Sequence, residues 1–261
     1  MSEILTERSG GVLRIILNRP AKKNAMTSSM YASMAEILND AAKDDDVLVV
    51  LWNGAGDSFS AGNDLDDFLK NPPGPGESPQ AQLARALLNF DKPLIAAVQG
   101  VAIGGGTTLL THCDFVYAGA NAKFQLPFVN PGLVPEFGSS WSLPARGGYL
   151  RAAELIMLGQ PFGAKLAAEV GLVTQVVPDA TVLDTAIETA SKLAAKPPAA
   201  LQACKRILKR HSRKQLDEAI RIENEEFASR VRSPEANEAF TAFLEKRAPD
   251  FKRTKEPALA R

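Results

Sequence analysis

Two glycine-containing turns in this 261-residue chain could hold a negative charge with backbone alone. Phe59-Ser60-Ala61-Gly62-Asn63-Asp64-Leu65 follows an apolar run ending at Trp52, and Val101-Ala102-Ile103-Gly104-Gly105-Gly106 follows another ending at Val98. Each leads into a predicted helix. A helix start exposes unpaired N–H groups and the positive end of the macrodipole, so two facing starts can grip one oxygen as it becomes anionic. Either turn alone also has a plainer reading, glycines that only permit a tight bend.

Chemistry at such a hole needs a group that moves protons, and Glu136 in Asn130-Pro131-Gly132-Leu133-Val134-Pro135-Glu136-Phe137-Gly138-Ser139-Ser140 is the candidate. Pro135 suits a first helical position, which predicts Glu136 in the first turn of the following helix. There the dipole favours the carboxylate, whereas burial against Phe128, Phe137 or Trp141 opposes it. An ordinary first-turn acid is the competing reading. His112 and His211 are the only histidines and Cys113 and Cys204 the only cysteines, so no metal site, disulfide framework or Ser-His-Asp site is expected. Both histidines are expected to be structural or solvent-facing, Asp114 to bond nearby backbone, and Asp64 to cap the helix starting near Leu65.

Elements that could position these groups follow from periodicity. Val12–Leu17, Val47–Trp52 and Pro93–Val98 read as strands, with a helix capped by Thr27 that buries Met30, Met34, Ile37 and Leu38 and closes at Asp44–Asp46. Strands alternating with helices predict a layered α/β core. Residues 71–79, rich in Pro and Gly, read as an exposed loop. After Pro178, helices are predicted over 183–193, 199–209, 215–231 and 234–246, a packing or oligomerisation layer.

Composition is ordinary for a globular chain, with 45% hydrophobic and 23% charged residues, and thirty basic residues balance thirty acidic ones. No global field recruits nucleic acid or an anionic membrane, and no apolar run is long enough to span a bilayer. Lys205, Arg206, Lys209, Arg210, Arg213 and Lys214 therefore read as a solvated helix face rather than an RNA surface. The N-terminus lacks a signal-like apolar stretch and Leu259-Ala260-Arg261 is no peroxisomal address, so a cytoplasmic, bacterial protein is expected.

Taken together, several segments resemble the motifs of the crotonase (enoyl-CoA hydratase/isomerase) superfamily in the family's order. They are Asn18-Arg19-Pro20 with Asn24-Ala25, Phe59 to Leu65, Lys92 to Gly100, Gly104-Gly105-Gly106, Cys113-Asp114, Ala168 to Val173 and Phe243 to Arg247. The resemblance implies a spiral of ββα units over residues 1–195 and a C-terminal helical trimerisation layer over 196–261. It also implies a CoA thioester whose carbonyl sits between the N–H groups of Ala61 and Gly105, in a homotrimer or dimer of trimers. CoA would be the only coenzyme, carried by the substrate. Lys22, Asn24, Ser60, Gly62, Asn63, Asp64, Leu65 and Gly104 would contact it, with Phe243 and Lys246 reaching a neighbouring subunit's CoA. Phe128, Phe137 and Trp141 would wall the acyl pocket.

In hydratases of the family, one Glu lies two residues after the last Gly of the triple-Gly turn and another in a downstream Gln-Pro-Glu segment. Thr108 and Phe128 stand in those places, and neither transfers a proton at neutral pH. Glu136 resembles the single acid of peroxisomal-type delta-3,delta-2-enoyl-CoA isomerases, with Phe137 where those enzymes have Gly. The resemblance therefore implies isomerisation of a 3-enoyl-CoA by one carboxylate; hydration and non-catalytic acyl-CoA binding are the alternatives.

Overall fold

The computed structural model describes residues 2–70 and 77–254. Its strands are β1 (Ile4–Ser9), β2 (Val12–Leu17), β3 (Val49–Gly54), β4 (Leu94–Val98), β5 (Val101–Ile103), β6 (Phe115–Gly119), β7 (Lys123–Gln125), β8 (Phe162–Gly163) and β9 (Gln175–Val177). Between them run α1 (Ser28–Lys43), α2 (Leu65–Lys70), α3 (Pro79–Asn89), α4 (Gly105–Thr108), α5 (Ser139–Gly147), α6 (Tyr149–Leu158) and α7 (Ala164–Glu169). Four more helices follow β9: α8 (Val182–Ala194), α9 (Pro198–Lys209), α10 (Arg213–Arg230) and α11 (Pro234–Leu244).

The main sheet has the order β1-β2-β3-β4-β6-β9, with β1 antiparallel to β2 and all other neighbours parallel. Every residue of β3 and β4 is buried, because parallel strands covered on both faces have no solvent side and so read as continuous apolar runs. Edge strand β1 buries only Ile4 and gives no such signal. A small second sheet, β5-β7-β8, lies beside the first. The chain lays one strand in each sheet (β4 then β5, β6 then β7) before returning through helices, which produces a spiral of β-β-α steps.

Helix α1 begins where expected: the Thr27 hydroxyl accepts the Met30 N–H, and Met30, Tyr31, Met34 and Leu38 form its buried stripe. The loop expected at residues 71–79 falls mostly on 71–76, outside the described residues. Glu77 and Ser78 lie outside regular structure, whereas Pro79 opens α3, which Ser78 caps through the Ala81 N–H. The C-terminal helices lie against the chain's own spiral. α8 covers β3, β4 and β6, while α10 packs on α3 and α5. Phe68 of α2 meets the rings of Phe227 (α10) and Phe240 (α11) at 6.1 and 5.7 Å.

The basic segment of α9 is only partly a solvated face. Lys205 is buried, paired with Asp114 at 2.7 Å, donating to the Lys92 carbonyl and lying over the Phe90 ring. Asp114 also accepts the Leu94 N–H, the backbone role expected of it.

Candidate active site

The two glycine turns lie side by side. Ser60 and Ala102 form a parallel bridge, with Ser60 N–H donating to the Val101 carbonyl at 3.0 Å and Ile103 N–H to the Ser60 carbonyl at 2.9 Å. Gly62, at φ +84°, fits because a Cβ there would stand 2.5 Å from the Ile103 carbonyl oxygen. Gly106 is pressed against Ser60 in the same way. Backbone contact this close admits no side chain.

Backbone accounting separates the donors in these turns. The Ala61 N–H donates to the Lys23 carbonyl at 2.8 Å, Gly62 to the Ser60 hydroxyl at 3.1 Å and Asp64 to the Met26 carbonyl at 2.9 Å. Among the described residues, the N–H groups of Asn63, Leu65, Gly105 and Gly106 have no acceptor. Ala61, expected from sequence to pair with Gly105, therefore has no proton left to offer, which leaves Asn63 and Gly105 as candidates. Both lie on the lining of one cavity of about 480 Å³.

That cavity also takes Ala61, Gly62, Leu65, Gly104, Phe128 and Phe243 of the expected contacts. Phe243 lines the chain's own cavity, beside Phe227, Phe240 and Arg247 of the C-terminal segment. Other expected contacts serve the architecture. The Asn24 amide is fully buried and donates to the carbonyls of Ala55 and Ser58 while accepting the Arg19 N–H. The Ser60 hydroxyl donates to the Asn24 carbonyl. Asp64 caps α2 through the Asp67 N–H and pairs with Arg19 at 2.9 Å.

Four further expectations fall outside the cavity lining. Lys22 is exposed and 3.5 Å from Asp66, and Lys246 is exposed in a left-handed conformation. Trp141 lines a separate surface groove with Lys214, Gln215 and Glu218. Phe137 is buried and stacks on Tyr31 at 6.2 Å between centroids.

Glu136 precedes helix α5 by three residues and does not sit in its first turn. The reason is the pair Phe137 and Gly138, both left-handed at φ +60° and +71°, which turn the chain before the helix can start. Three contacts hold this turn. The Nε2 of His112 meets the Phe137 carbonyl at 2.7 Å, Ser139 donates its hydroxyl to the Glu136 carbonyl, and Glu223 of α10 accepts the N–H groups of Gly138 and Ser140. Burial pushes His112 down to about 3, so the ring is neutral and donates from Nε2.

The Glu136 side chain is buried, and its Oε1 has no hydrogen-bond partner among the described residues. It faces Gly105: a Cβ on Gly105 would stand 2.9 Å from that oxygen and 2.6 Å from the hydroxyl of Tyr31. The Tyr31 hydroxyl donates to the Asn63 side-chain oxygen at 2.6 Å. Burial, then the neighbouring charge of Glu223, lifts Glu136 to about 8. Burial and Glu136 together hold Tyr31 un-ionised, well above its usual range.

Tyr31 and Glu223 were not among the expected site residues. Each occupies the buried stripe of an amphipathic helix, Tyr31 beside Met30 and Met34, Glu223 three residues after Ile220. A lone acid on an apolar stripe is the signal that marks Glu223 in the sequence.

Comparison with known proteins gives one consistent answer. Residues 7–254 match the family model described as Enoyl-CoA hydratase/isomerase. The chain is 38% identical over 258 residues to the 1,2-epoxyphenylacetyl-CoA isomerase of Escherichia coli (strain K12), covering 96% of this chain and 98% of that protein. It is 36% identical over 253 residues to the 2,3-dehydroadipyl-CoA hydratase of the same organism, covering 97% and 99%. A solved enoyl-CoA hydratase/isomerase from Pseudoalteromonas atlantica T6c superposes with a TM-score of 0.91 at 36% identity, over 96% of this chain and 100% of that one.

Proposed function

The chain belongs to the enoyl-CoA hydratase/isomerase family of the crotonase fold, and from that premise we propose that it moves the double bond of a 3-enoyl-CoA to the 2 position. The observation that carries this reading is the one buried carboxyl with an unpartnered oxygen among the described residues, Glu136, facing Gly105 at the meeting point of the two turns. The substrate's thioester oxygen takes the N–H groups of Asn63 and Gly105. Ionised Glu136 removes a proton from C2; the electron pair forms C2=C3, the C3=C4 electrons reach C4, and the negative charge is delocalised onto the thioester oxygen. The same carboxyl then delivers the proton to C4, so no atom is gained or lost. Two donors aimed at the oxygen stabilise the charge as it develops. One carboxyl serves both transfers if C2 and C4 lie on one face within its reach.

Hydration needs a second group to activate water. Among the described residues no Asp or Glu lines the cavity itself; Glu136 stands against the lining residue Gly105, and no second carboxyl group is found beside it there. The nearby second carboxylate, Glu223, has both oxygens committed to backbone N–H groups, and Thr108 and Phe128 occupy the remaining places. Assembly as a homotrimer or a dimer of trimers goes with this reading. Exposed apolar residues on α6 and α9, Leu150 at 82% and Leu208 at 78%, support an assembly, which light scattering of the purified protein measures.

Glu136→Gln tests the assignment. Turnover of trans-3-hexenoyl-CoA, followed as conjugated-thioester absorbance, is expected to fall by at least ~1,000-fold, while affinity for a non-reactive acyl-CoA stays within about threefold. Turnover near that of the wild type would refute the role of Glu136.

A further inference from the structure

Glu223 is a buried carboxylate that the reaction above does not use. It reaches from α10, 85 residues along the chain, to the turn that carries Glu136. Oε2 accepts the Gly138 N–H at 2.6 Å and Oε1 the Ser140 N–H at 2.8 Å. These are donors at the start of α5, whose own N-cap is a glycine with no side chain to satisfy them. The approach is close: a Cβ on Gly138 would stand 2.2 Å from Leu216 Cδ1 and 3.2 Å from Ile220 Cγ1. Leu216, Ile220 and Glu223 occupy positions i, i+4 and i+7, one stripe of α10 laid on the turn.

We propose that Glu223 is a positioning residue for Glu136: its carboxylate fixes the 136–140 turn so that Oε1 of Glu136 stays against Gly105, and it makes the C-terminal helical layer part of the catalytic apparatus. This rests on the assignment of Glu136 as the acid/base. The titratable groups around the Glu136 turn are Tyr31 from α1, which shares the Gly105 face with Glu136, His112 from the segment after α4, on the Phe137 carbonyl, and Glu223 from α10, on the Gly138 and Ser140 N–H groups. Tyr31 and His112 are neutral at pH 7, which leaves Glu223, held by two N–H donors, as the group among them able to carry a charge. Burial raises the Glu223 carboxyl above its usual range, and the N–H donors of Ser140 and Gly138 act against that by favouring the ionised form. Glu136 has no such donors on Oε1, so of the two acids Glu223 is the one whose surroundings hold a carboxylate and Glu136 the one suited to keep its proton.

The test is Glu223→Gln in the full chain, with Glu223→Asp as its charged counterpart. Gln keeps the shape and loses the charge and one acceptor; Asp keeps the charge and loses reach. For Glu223→Gln, kcat on trans-3-hexenoyl-CoA is expected to drop about tenfold or more with KM changed less than about threefold. The acidic limb of the kcat/KM profile is expected to move down by about one pH unit. Glu223→Asp is expected to lose kcat while keeping the limb in place. A purely structural role would lower thermal stability yet leave the limb of the folded fraction unmoved, and that outcome overturns the proposal. If Glu223→Gln does not fold, carboxyl-13C NMR of the wild-type protein decides instead: Glu223 ionised at pH 7 while Glu136 still holds its proton agrees, and Glu223 protonated at pH 7 overturns it. An active Glu136→Gln enzyme would sink the underlying assignment, whereas an inactive one with an unaffected Glu223→Gln sinks only this inference.

Discussion

The wall that carries Asn63 and Gly105 and the wall that carries Glu136 meet at one point, yet they are held in different ways. The first is built by neighbours in sequence: two strand ends, glycines that let Gly62 and Gly106 touch the opposite turn, and bridges between Ser60 and Ala102. The second is a turn without regular structure, tied by His112 from one side and by Glu223 of α10 from the other. One wall presents fixed backbone dipoles and needs no titration. The other presents a buried acid whose hold on its proton is raised first by burial and then by Glu223 of α10.

Gly105→Ala breaks both walls at once, because the added methyl would collide with the Tyr31 hydroxyl and the Glu136 carboxyl together. Turnover of a 3-enoyl-CoA is expected to fall ~100-fold or more in that variant, a loss comparable to removing an oxyanion donor. The pH profile isolates the second wall. In the proposed reaction Glu136 starts ionised, so kcat/KM should rise about tenfold per pH unit in acid and level off near pH 8.

Smaller changes separate the walls. Tyr31→Phe and Asn63→Ala each remove the bond that fixes the Asn63 loop while leaving its N–H, and about a tenfold loss of kcat is expected for either. The double variant should be no worse than the single ones, because both delete one interaction. Stability provides the smallest and most specific readout. The Glu136 carboxyl titrates at about 8 in the fold and near 4.5 when unfolded, so the folded state binds the proton more tightly and ionisation destabilises it. Glu136→Gln should therefore match the wild type near pH 4.5 and exceed it by roughly 2–4 kcal/mol at pH 8 in denaturant titrations.

The contrast also explains what could be read from sequence. Strands β2 and β4 and helices α1 and α8–α11 follow from buried runs and amphipathic periodicity, and the family motifs implied the spiral that the fold and its solved neighbours bear out. The glycine turns were legible because their residue types are demanded by local backbone contact. Which N–H is left over was not: Ala61 is spent on Lys23, a contact across 38 positions that spacing does not reveal. The helix expected at Pro135 begins at Ser139 instead, since Phe137 and Gly138 adopt left-handed conformations that His112 and Glu223 secure. Short β5, β7 and β8 offer too few residues for a pattern, and Tyr31 looks like any core aromatic until Asn63 is found against it.

The central claim is that one unpartnered acid opposite two free backbone donors isomerises and does not hydrate. Purified protein assayed side by side on trans-3-hexenoyl-CoA and crotonyl-CoA tests this most directly. Gain of conjugated-thioester absorbance with the first and no loss with the second is the predicted result. Loss with crotonyl-CoA and no gain with trans-3-hexenoyl-CoA would contradict it.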